Sequence, residues 1–452
     1  MVDALVETKL LRPRPRRDTV SRPRLDASIS RAVDVPVTVV SAPAGFGKTT
    51  LLAGRLSALD LPVAWVSLDA RDRRPASFWS YLLTALDRAV PGSAAAALTL
   101  FGSGQAAIEA VLAGVVNELS VFDGDLVLVL DDYHLADGPE VAEGMTFLVD
   151  HLPPQLHLVI STRADPGLPL PRLRVRGELV EVRAADLRFD DSEVASYLND
   201  LNGLNLPTEA IAALEARTEG WVAALQLAAL SLRDRVDAAG FVQRFAGDDR
   251  FVVDYLADEV LDRQPGDVRR FLLETSVLEQ LNAPLCEAVV DSGPGGGRAM
   301  LDLLERQNLF LVPLDDHRRW YRYHHLFGDV LRAHLLQERR EVVPDLHRRA
   351  SRWHAENGDV EGAVRHALLA GDAPAAAELV ERAIPDFRRL RREHVIRRWV
   401  DDLPETVVAN RPALAMGLVG GLMAMNDFAG IEDRLRDVEA MLARPEAELV
   451  VV

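Results

Sequence analysis

Between residues 35 and about 185 the chain alternates short, unbroken apolar runs with longer stretches whose apolar positions recur every three or four residues. The runs are VPVTVV (35–40), VAWVSL (63–68), LVLVL (126–130), LHLVIS (156–161) and LVEV (179–182). A strand that is apolar on both faces belongs in a parallel sheet covered by helices. The intervening text supplies such helices, among them ASFWSYLLTALDRAV (76–90) and PEVAEGMTFLVDHL (139–152). This order predicts a doubly wound α/β domain built on a parallel sheet.

Beyond about residue 190 strand-like text becomes scarce. DSEVASYLNDL and TEAIAALEARTEGWVAALQLAALSL carry helical periodicity with few breakers. LFLVPLDDHRRWYRYHHLF (309–327) breaks the pattern, with two short β-prone runs flanking DDHR. A hairpin there, after helices at 250–281 and 298–307, fits a winged-helix module. DSGPGGG (291–297) follows no strand and opens no lysine-bearing helix, so it reads as a linker and not a phosphate loop. From 345 onward the text falls into short helical units ended by turns such as NGD and AGD, and resembles tetratricopeptide-type hairpins in spacing alone. The expected organisation is an arm with an adenine-side segment (1–34), an α/β domain (35–188), a helical domain (189–248), a winged-helix-like domain (249–343) and TPR-like hairpins (344–452). The ending ELVVV offers no polar cap, which suggests an array that stops before its natural end.

A length of 452 residues agrees with several domains. Acidic residues outnumber basic ones 69 to 51, for a net charge of −18, which argues against non-specific nucleic-acid binding by the chain as a whole. The arginines of RPRPRR (12–17) then read as a solvated arm, with nucleic-acid contact as the rival. Cys286 is the only cysteine, which rules out an internal disulfide and a cysteine-based metal site. The N-terminal text lacks a signal-peptide core, and ALAMGLVGGLMAM (413–425) is too short to span a bilayer. These features suggest a soluble, cytoplasmic protein without membrane contact.

The chemistry concentrates in SAPAGFGKTT, Ser41 to Thr50, which follows a strand and opens a helix. That context suits the phosphate loop G-x-x-x-x-G-K-[ST], although Ala42 stands where the first glycine is usual. Alanine can turn the chain out of the strand if its φ stays negative, while Gly47 is where a side chain would crowd a phosphate. The backbone of Ala42, Pro43, Ala44, Gly45, Phe46 and Gly47, with Thr50 behind it, then forms the cradle, and N–H groups from Gly45 to Thr49 face the β-phosphate. Lys48 is placed against the β- and γ-phosphates, and the Thr49 hydroxyl is a ligand for Mg²⁺. LVLVLDDYH reads as the acidic strand of the same site, with Asp131 holding Mg²⁺. Asp132 either orients or deprotonates the attacking water, or merely orients a neighbour. Arg163, just past the next strand, is either a γ-phosphate sensor or one half of a surface ion pair.

SAPAGFGKTTL, LVLDDYH, STR ahead of LPLPRLRVRGELVEV, GWVAALQLAAL and YHHLFGDVLR occur in that order. Together they resemble the MalT-like signal-transduction ATPases of the STAND class, the large ATP-binding regulators of the LuxR family, over essentially the whole chain. The resemblance implies a P-loop NTPase domain, then helical, winged-helix and TPR-like domains, with ADP holding a closed state. ATP and an inducer would open the molecule to self-association, and hydrolysis would reset it. It also implies that Val20 and Arg22 of DTVSRPRL lie beside adenine, that Arg163 is the sensor, and that His324 touches the ADP β-phosphate. By its residues alone, the His324–His325 pair reads as packing, and metal partners are missing. GWVAALQL reads as helix packing through Trp221, Leu225 and Leu227, with Gly220 permitting close approach. Members commonly carry a LuxR-type DNA reader, and no helix-turn-helix is recognisable here, so any DNA contact is expected through a domain not found in this chain. The leading expectation is an ATP-dependent switch of transcription with slow ATP hydrolysis. Its rivals are a nucleotide-controlled interaction scaffold and a metabolic P-loop kinase or motor.

Overall fold

The computed structural model describes residues 5–15, 19–104, 106–232, 242, 250–409, 411–424 and 430–443. Arg16 and Arg17 of the arginine run, and the ELVVV ending, lie outside the described residues. The chain divides into two compact units, one of Met1–Arg263, Leu303–Leu311 and His324–Phe327, the other of Gln264–Asp302, Val312–Tyr323 and Gly328–Val452.

The first unit is built on a five-stranded sheet of β1 (Val37–Ser41), β2 (Val63–Ser67), β3 (Leu126–Asp131), β4 (Leu156–Thr162) and β5 (Leu179–Arg183). Its order is β2-β3-β4-β1-β5, and every pairing is parallel. Every residue of β1, β3 and β4 is buried, as the unbroken apolar runs require of strands covered on both faces. Strand β1 begins two residues after the apolar run does, because Pro36 has no N–H and contributes only its carbonyl, to Leu158 N–H at 2.9 Å. The helices expected at 76–90 and 139–152 are Pro75–Ala89 and Pro139–Asp150. Phe78, Trp79 and Leu82 of the first are at most 1 % exposed, and each contributes up to about 3 kcal/mol through its burial.

The structure adds detail at two places. The lead-in leaves Arg12 and Arg14 exposed but is fastened to the domain: Leu10 is buried, Lys9 pairs with the fully buried Asp72, and Arg12 donates to the Leu56 carbonyl at 3.1 Å. The long helical stretch after 207 is also not continuous, being split into Thr208–Thr218 and Val222–Leu232. The break comes at Glu219 and Gly220, both left-handed, where a Cβ on Gly220 would lie 2.2 Å from the Phe189 carbonyl oxygen. The close approach expected of Gly220 is therefore real, but it is an approach to backbone, sealed by Phe189 N–H donating to the Gly220 carbonyl at 2.9 Å.

In the second unit DSGPGGG joins helix Ala283–Val290 to helix Gly296–Arg306, as a linker should. The hairpin is present as β6 (Leu311–Pro313) and β7 (Tyr321–Tyr323), closed by Leu314 N–H on the Trp320 carbonyl at 2.8 Å. Helices Val343–Glu356, Val360–Leu369, Ala373–Arg389, Glu393–Asp401, Pro412–Ala424 and Ile431–Leu442 follow. The aspartates of NGD and AGD start as well as end helices: Asp359 caps Gly362 N–H and Asp372 caps Ala375 N–H. Among the described residues no helix is long and apolar enough to cross a membrane.

Three buried histidines hold the first of these hairpins together. His347 and His366 share a proton between their Nδ1 atoms at 2.8 Å, and the His354 ring stacks on His366 at 5.3 Å. Burial lowers all three imidazoles, His366 to about 3 with help from the His347 and Arg365 charges, while Asp359 opposes the shift at His354. The native state thus resists protons that the unfolded chain accepts near pH 6.5, so stability is complete above that value and falls as pH drops toward the folded values. The urea midpoint of this unit is expected to be lower at pH 5.5 than at pH 8, and His366→Gln is expected to flatten the difference. Equal wild-type midpoints at the two pH values would contradict this assignment.

Candidate functional site

The parallel register brings the carboxyl ends of the strands to one edge of the sheet, with Ser41 of β1 opposite Thr162 of β4. The loop after β1 runs into helix Lys48–Leu56, and it is shaped by left-handed Gly45 and Gly47, φ 75° and 78°. Ala42 is not among the residues with positive φ, so it serves in place of glycine without strain; its N–H donates to the Thr162 carbonyl at 3.2 Å. Protein-side crowding falls on Gly45 and not Gly47. A Cβ on Gly45 would stand 2.5 Å from the Ala223 Cβ and 2.9 Å from Trp221 Nε1, whereas one on Gly47 meets only Val222 Cγ1 at 3.7 Å.

Lys48 is 7 % exposed, and its ammonium donates to the carbonyls of Ala42 and Pro43 at 2.8 and 3.0 Å. It has no carboxylate in ion-pair range among the described residues. Burial is the main cause that pushes it down to about 8, with Asp132 and Asp131 opposing and Arg163 reinforcing the shift. A desolvated cation bound only by backbone carbonyls fits an anionic ligand.

Beside it, Thr49 Oγ1 donates to both oxygens of Asp131, at 3.0 and 3.1 Å. Ser161 Oγ donates to the same carboxylate and receives the Asp132 N–H at 3.0 Å. Burial holds the Asp131 carboxyl above the ordinary range, despite the Ser161 and Thr49 hydrogen bonds. A buried carboxylate next to a hydroxyl is a hard oxygen donor set, and it fits Mg²⁺ with the remaining positions left to water and phosphate. Asp132 is left-handed, φ 56°, and its carboxylate stands 3.8 Å from His134 Nδ1, a neighbour that the sequence reading left without a role. Burial holds His134 down at about 3, so it is neutral.

A cavity of about 520 Å³ opens beside the loop, lined by Val20, Arg22, Gly45, Phe46, Gly47 and Thr50, and on the far side by Tyr197, Val222, Gln226 and Tyr255. Val20 and Arg22 are thus brought to the loop from the N-terminal segment. Arg22 is anchored by Glu193 at 3.0 Å and by the Arg188 carbonyl at 2.7 Å, and its guanidinium lies over the Phe189 ring. Arg163 forms an ion pair with Glu259 at 3.4 Å, the second of its two readings, and its charge reinforces the depression of Lys48.

His324 is brought to the loop only indirectly. It is 1 % exposed, its Nε2 meets the Thr218 carbonyl at 2.9 Å, and its ring is edge-on to Trp221 and Phe310 at 5.9 and 5.8 Å. It does not line the cavity, and its Nδ1 has no partner among the described residues. What sequence reasoning missed is Trp221. Its indole N–H donates to the Ala44 carbonyl at 3.0 Å, its ring lies over Phe46 at 6.4 Å, and two residues on Ala223 N–H donates to the Gly45 carbonyl at 3.1 Å. The helical segment therefore grips the outside of the phosphate loop; nothing in helical periodicity distinguishes such a tryptophan from a packing residue.

Asp131→Asn is expected to keep the Thr49 contact but to remove the charge that a divalent cation needs. Mg²⁺-dependent strengthening of nucleotide binding is expected to fall by about tenfold, with metal-free binding little changed. Titrations with and without Mg²⁺ check this, and an undiminished Mg²⁺ effect in the variant would exclude Asp131 as the ligand.

A family model described as the MalT winged helix domain matches residues 257–343. Over 436 residues the chain is 35 % identical to the serine/threonine-protein kinase PknK of Mycobacterium tuberculosis, covering 96 % of this chain and 39 % of that protein. Over 451 residues it is 34 % identical to the HTH-type transcriptional regulator MalT of Cronobacter sakazakii, covering 98 % of this chain and 49 % of that one. The chain thus spans about two-fifths to one half of the length of these curated relatives. A Walker-type ATPase of Pyrococcus abyssi shares the fold, at a TM-score of 0.51 and 16 % identity over 71 % of this chain and 99 % of that one.

Proposed function

Because the chain belongs to the MalT-like STAND family, with a P-loop NTPase fold followed by a MalT-type winged helix, we propose that it is a nucleotide-dependent regulatory switch. In this reading ADP marks the resting state and ATP with Mg²⁺ the active one, slow hydrolysis resets the cycle, and the output is control of transcription through self-association under an inducer. The observation that carries the reading is the pairing, at one sheet edge, of a buried Lys48 lacking a carboxylate with the Thr49–Asp131–Ser161 hydrogen-bond chain.

The residues divide the work by their chemistry. Lys48 and the loop N–H groups hold the phosphates, Thr49 and Asp131 hold the metal, and Val20, Arg22, Val222, Ala223, Gln226 and Tyr255 enclose the base and sugar. Bound Mg²⁺ would neutralise charge on the phosphate oxygens. Asp132 would orient or deprotonate the attacking water, and Arg163, paired with Glu259 at 3.4 Å, would exchange that carboxylate for the γ-phosphate. The Trp221 and Ala223 contacts support a switch, since any movement of the loop backbone is passed to helix Val222–Leu232. The relatives support the same division. One bears the name of a kinase and the other of a transcriptional regulator, so the segment they share with this chain is more naturally a common control module than either output. A nucleotide-controlled interaction scaffold is the second reading, favoured by the same relatives, because a shared module can serve different outputs.

The test is to denature the purified chain gently and identify the nucleotide released, then to measure steady-state turnover. Near-stoichiometric ADP and turnover well below about 1 s⁻¹, the low end of ordinary enzymes, are expected. Rapid steady-state hydrolysis would exclude a timer, and a wild-type protein that neither carries nor binds nucleotide would exclude the site altogether.

A further inference from the structure

The second unit contains a cleft of about 750 Å³ to which the nucleotide reading assigns nothing. It lies between the residues around Leu278, the Trp320 side of the hairpin, and the helices Val343–Glu356, Val360–Leu369 and Glu393–Asp401. Trp320 and Trp399 line it, and Trp399 is 3 % exposed. The carboxylates of Glu279, Asp359, Glu361 and Asp402 line it, against the guanidiniums of Arg365 and Arg398.

These charges are not equally engaged. Arg365 is taken up by Glu279, and Glu361 by Arg392 at 2.6 Å. Asp359 caps Gly362 and meets His354 Nδ1 at 2.8 Å. Asp402 has no ion-pair partner among the described residues, and Arg398 is exposed at the rim. The wall as a whole keeps an excess of negative charge beside aromatic side chains, the combination that attracts a desolvated cation.

A second observation points to a ligand independently. His366 also lines the cleft, it is 1 % exposed, and its Nε2 has no hydrogen-bond partner among the described residues. Its Nδ1 is already used, against His347 Nδ1 at 2.8 Å. When His366 donates that proton, its Nε2 is a bare acceptor, and leaving it unpaired in a buried place costs free energy that an N–H donor would recover.

We propose that this cleft binds a small organic cation, an amine or guanidinium compound whose N–H groups reach His366 and Asp402 while its carbon skeleton lies against Trp399 and Trp320. A cation satisfies the orphaned nitrogen, the unpaired carboxylate and the aromatic side chains at once. An anion would meet the carboxylate excess, and a neutral polyol would leave it uncompensated.

Isothermal titration of the whole chain with agmatine and with spermidine, in about 0.15 M salt to suppress loose attraction to a chain of net charge −18, tests this. Saturable binding of one molecule per chain by at least one of them is expected, weakened about tenfold in Asp402→Asn. Asp402 is exposed, so the variant is expected to fold; Glu279→Gln, also at the surface, provides a second and smaller reduction. Lys48→Ala is expected to bind the amine as wild type does, so loss of the nucleotide site leaves this result standing. The proposal is overturned if neither amine saturates the wild-type chain, if both carboxylate variants bind undiminished, or if citrate or glucose binds with the Asp402 dependence expected of the amine.

Discussion

Lys48→Ala is expected to reduce nucleotide affinity by about a hundredfold or more while changing the stability of the nucleotide-free protein by no more than about 1 kcal/mol. The two halves of this expectation come from the same geometry. The ammonium is desolvated and held by the Ala42 and Pro43 carbonyls without a carboxylate, and burial is what lowers it to about 8. Without an anion the charge is a burden on the folded state, and its removal offsets the packing lost with the aliphatic stem. With phosphate present, the same charge contributes strong hydrogen bonds in a dry site. Equilibrium binding of a fluorescent ATP analogue and thermal unfolding of the nucleotide-free protein check the two halves. Undiminished binding would remove Lys48 from the site; loss of both fold and binding would show that the lysine is structural.

Trp221 carries the second large effect. The ring is fully buried, edge-on to Phe310 at 5.0 Å, beside Tyr255 at 5.8 Å, and over Phe46 of the loop. Trp221→Ala is expected to cost about 3–5 kcal/mol of stability, as large truncations in a closed core do. The informative variant is Trp221→Phe, which keeps most of the ring packing but removes the N–H that serves the Ala44 carbonyl. It is expected to cost about 1–3 kcal/mol and to weaken nucleotide binding as well, because the loop then loses one of its two outside holds. Chemical denaturation and nucleotide titration of both variants measure this. If Trp221→Phe shifts stability without any effect on nucleotide affinity, the tryptophan packs the loop but does not set its shape.

The phosphate loop, the acidic strand end and the strand count were legible because each depends on residues close together in sequence. A buried parallel strand must be apolar throughout, and a phosphate cradle must have backbone freedom, a lysine and a hydroxyl at fixed offsets. The hairpin around DDHR was legible for the same local reason, since Leu314 and Trp320 pair across a short turn. Ser161 was not, because a serine near the end of an apolar strand has no distinguishing pattern; only the β3–β4 neighbourhood gives it Asp131. The fastened lead-in was hidden too, as its proline and arginine content masks the buried Leu10 and the Lys9–Asp72 pair.

By itself, then, the order of residues determined the secondary structure, the parallel sheet and which side chains are chemically suited to phosphate and metal. These follow from local sterics, from periodic burial and from the chemistry of individual groups. Only the tertiary structure decided who holds the site in place. Gly45 is crowded by Ala223 and Trp221, residues about 180 positions away, and Arg22 is anchored by Glu193 across a similar span. Such contacts are chosen by the packing of whole elements, where one bulky side chain or unpaired carbonyl outweighs any local preference. No window along the chain contains both partners.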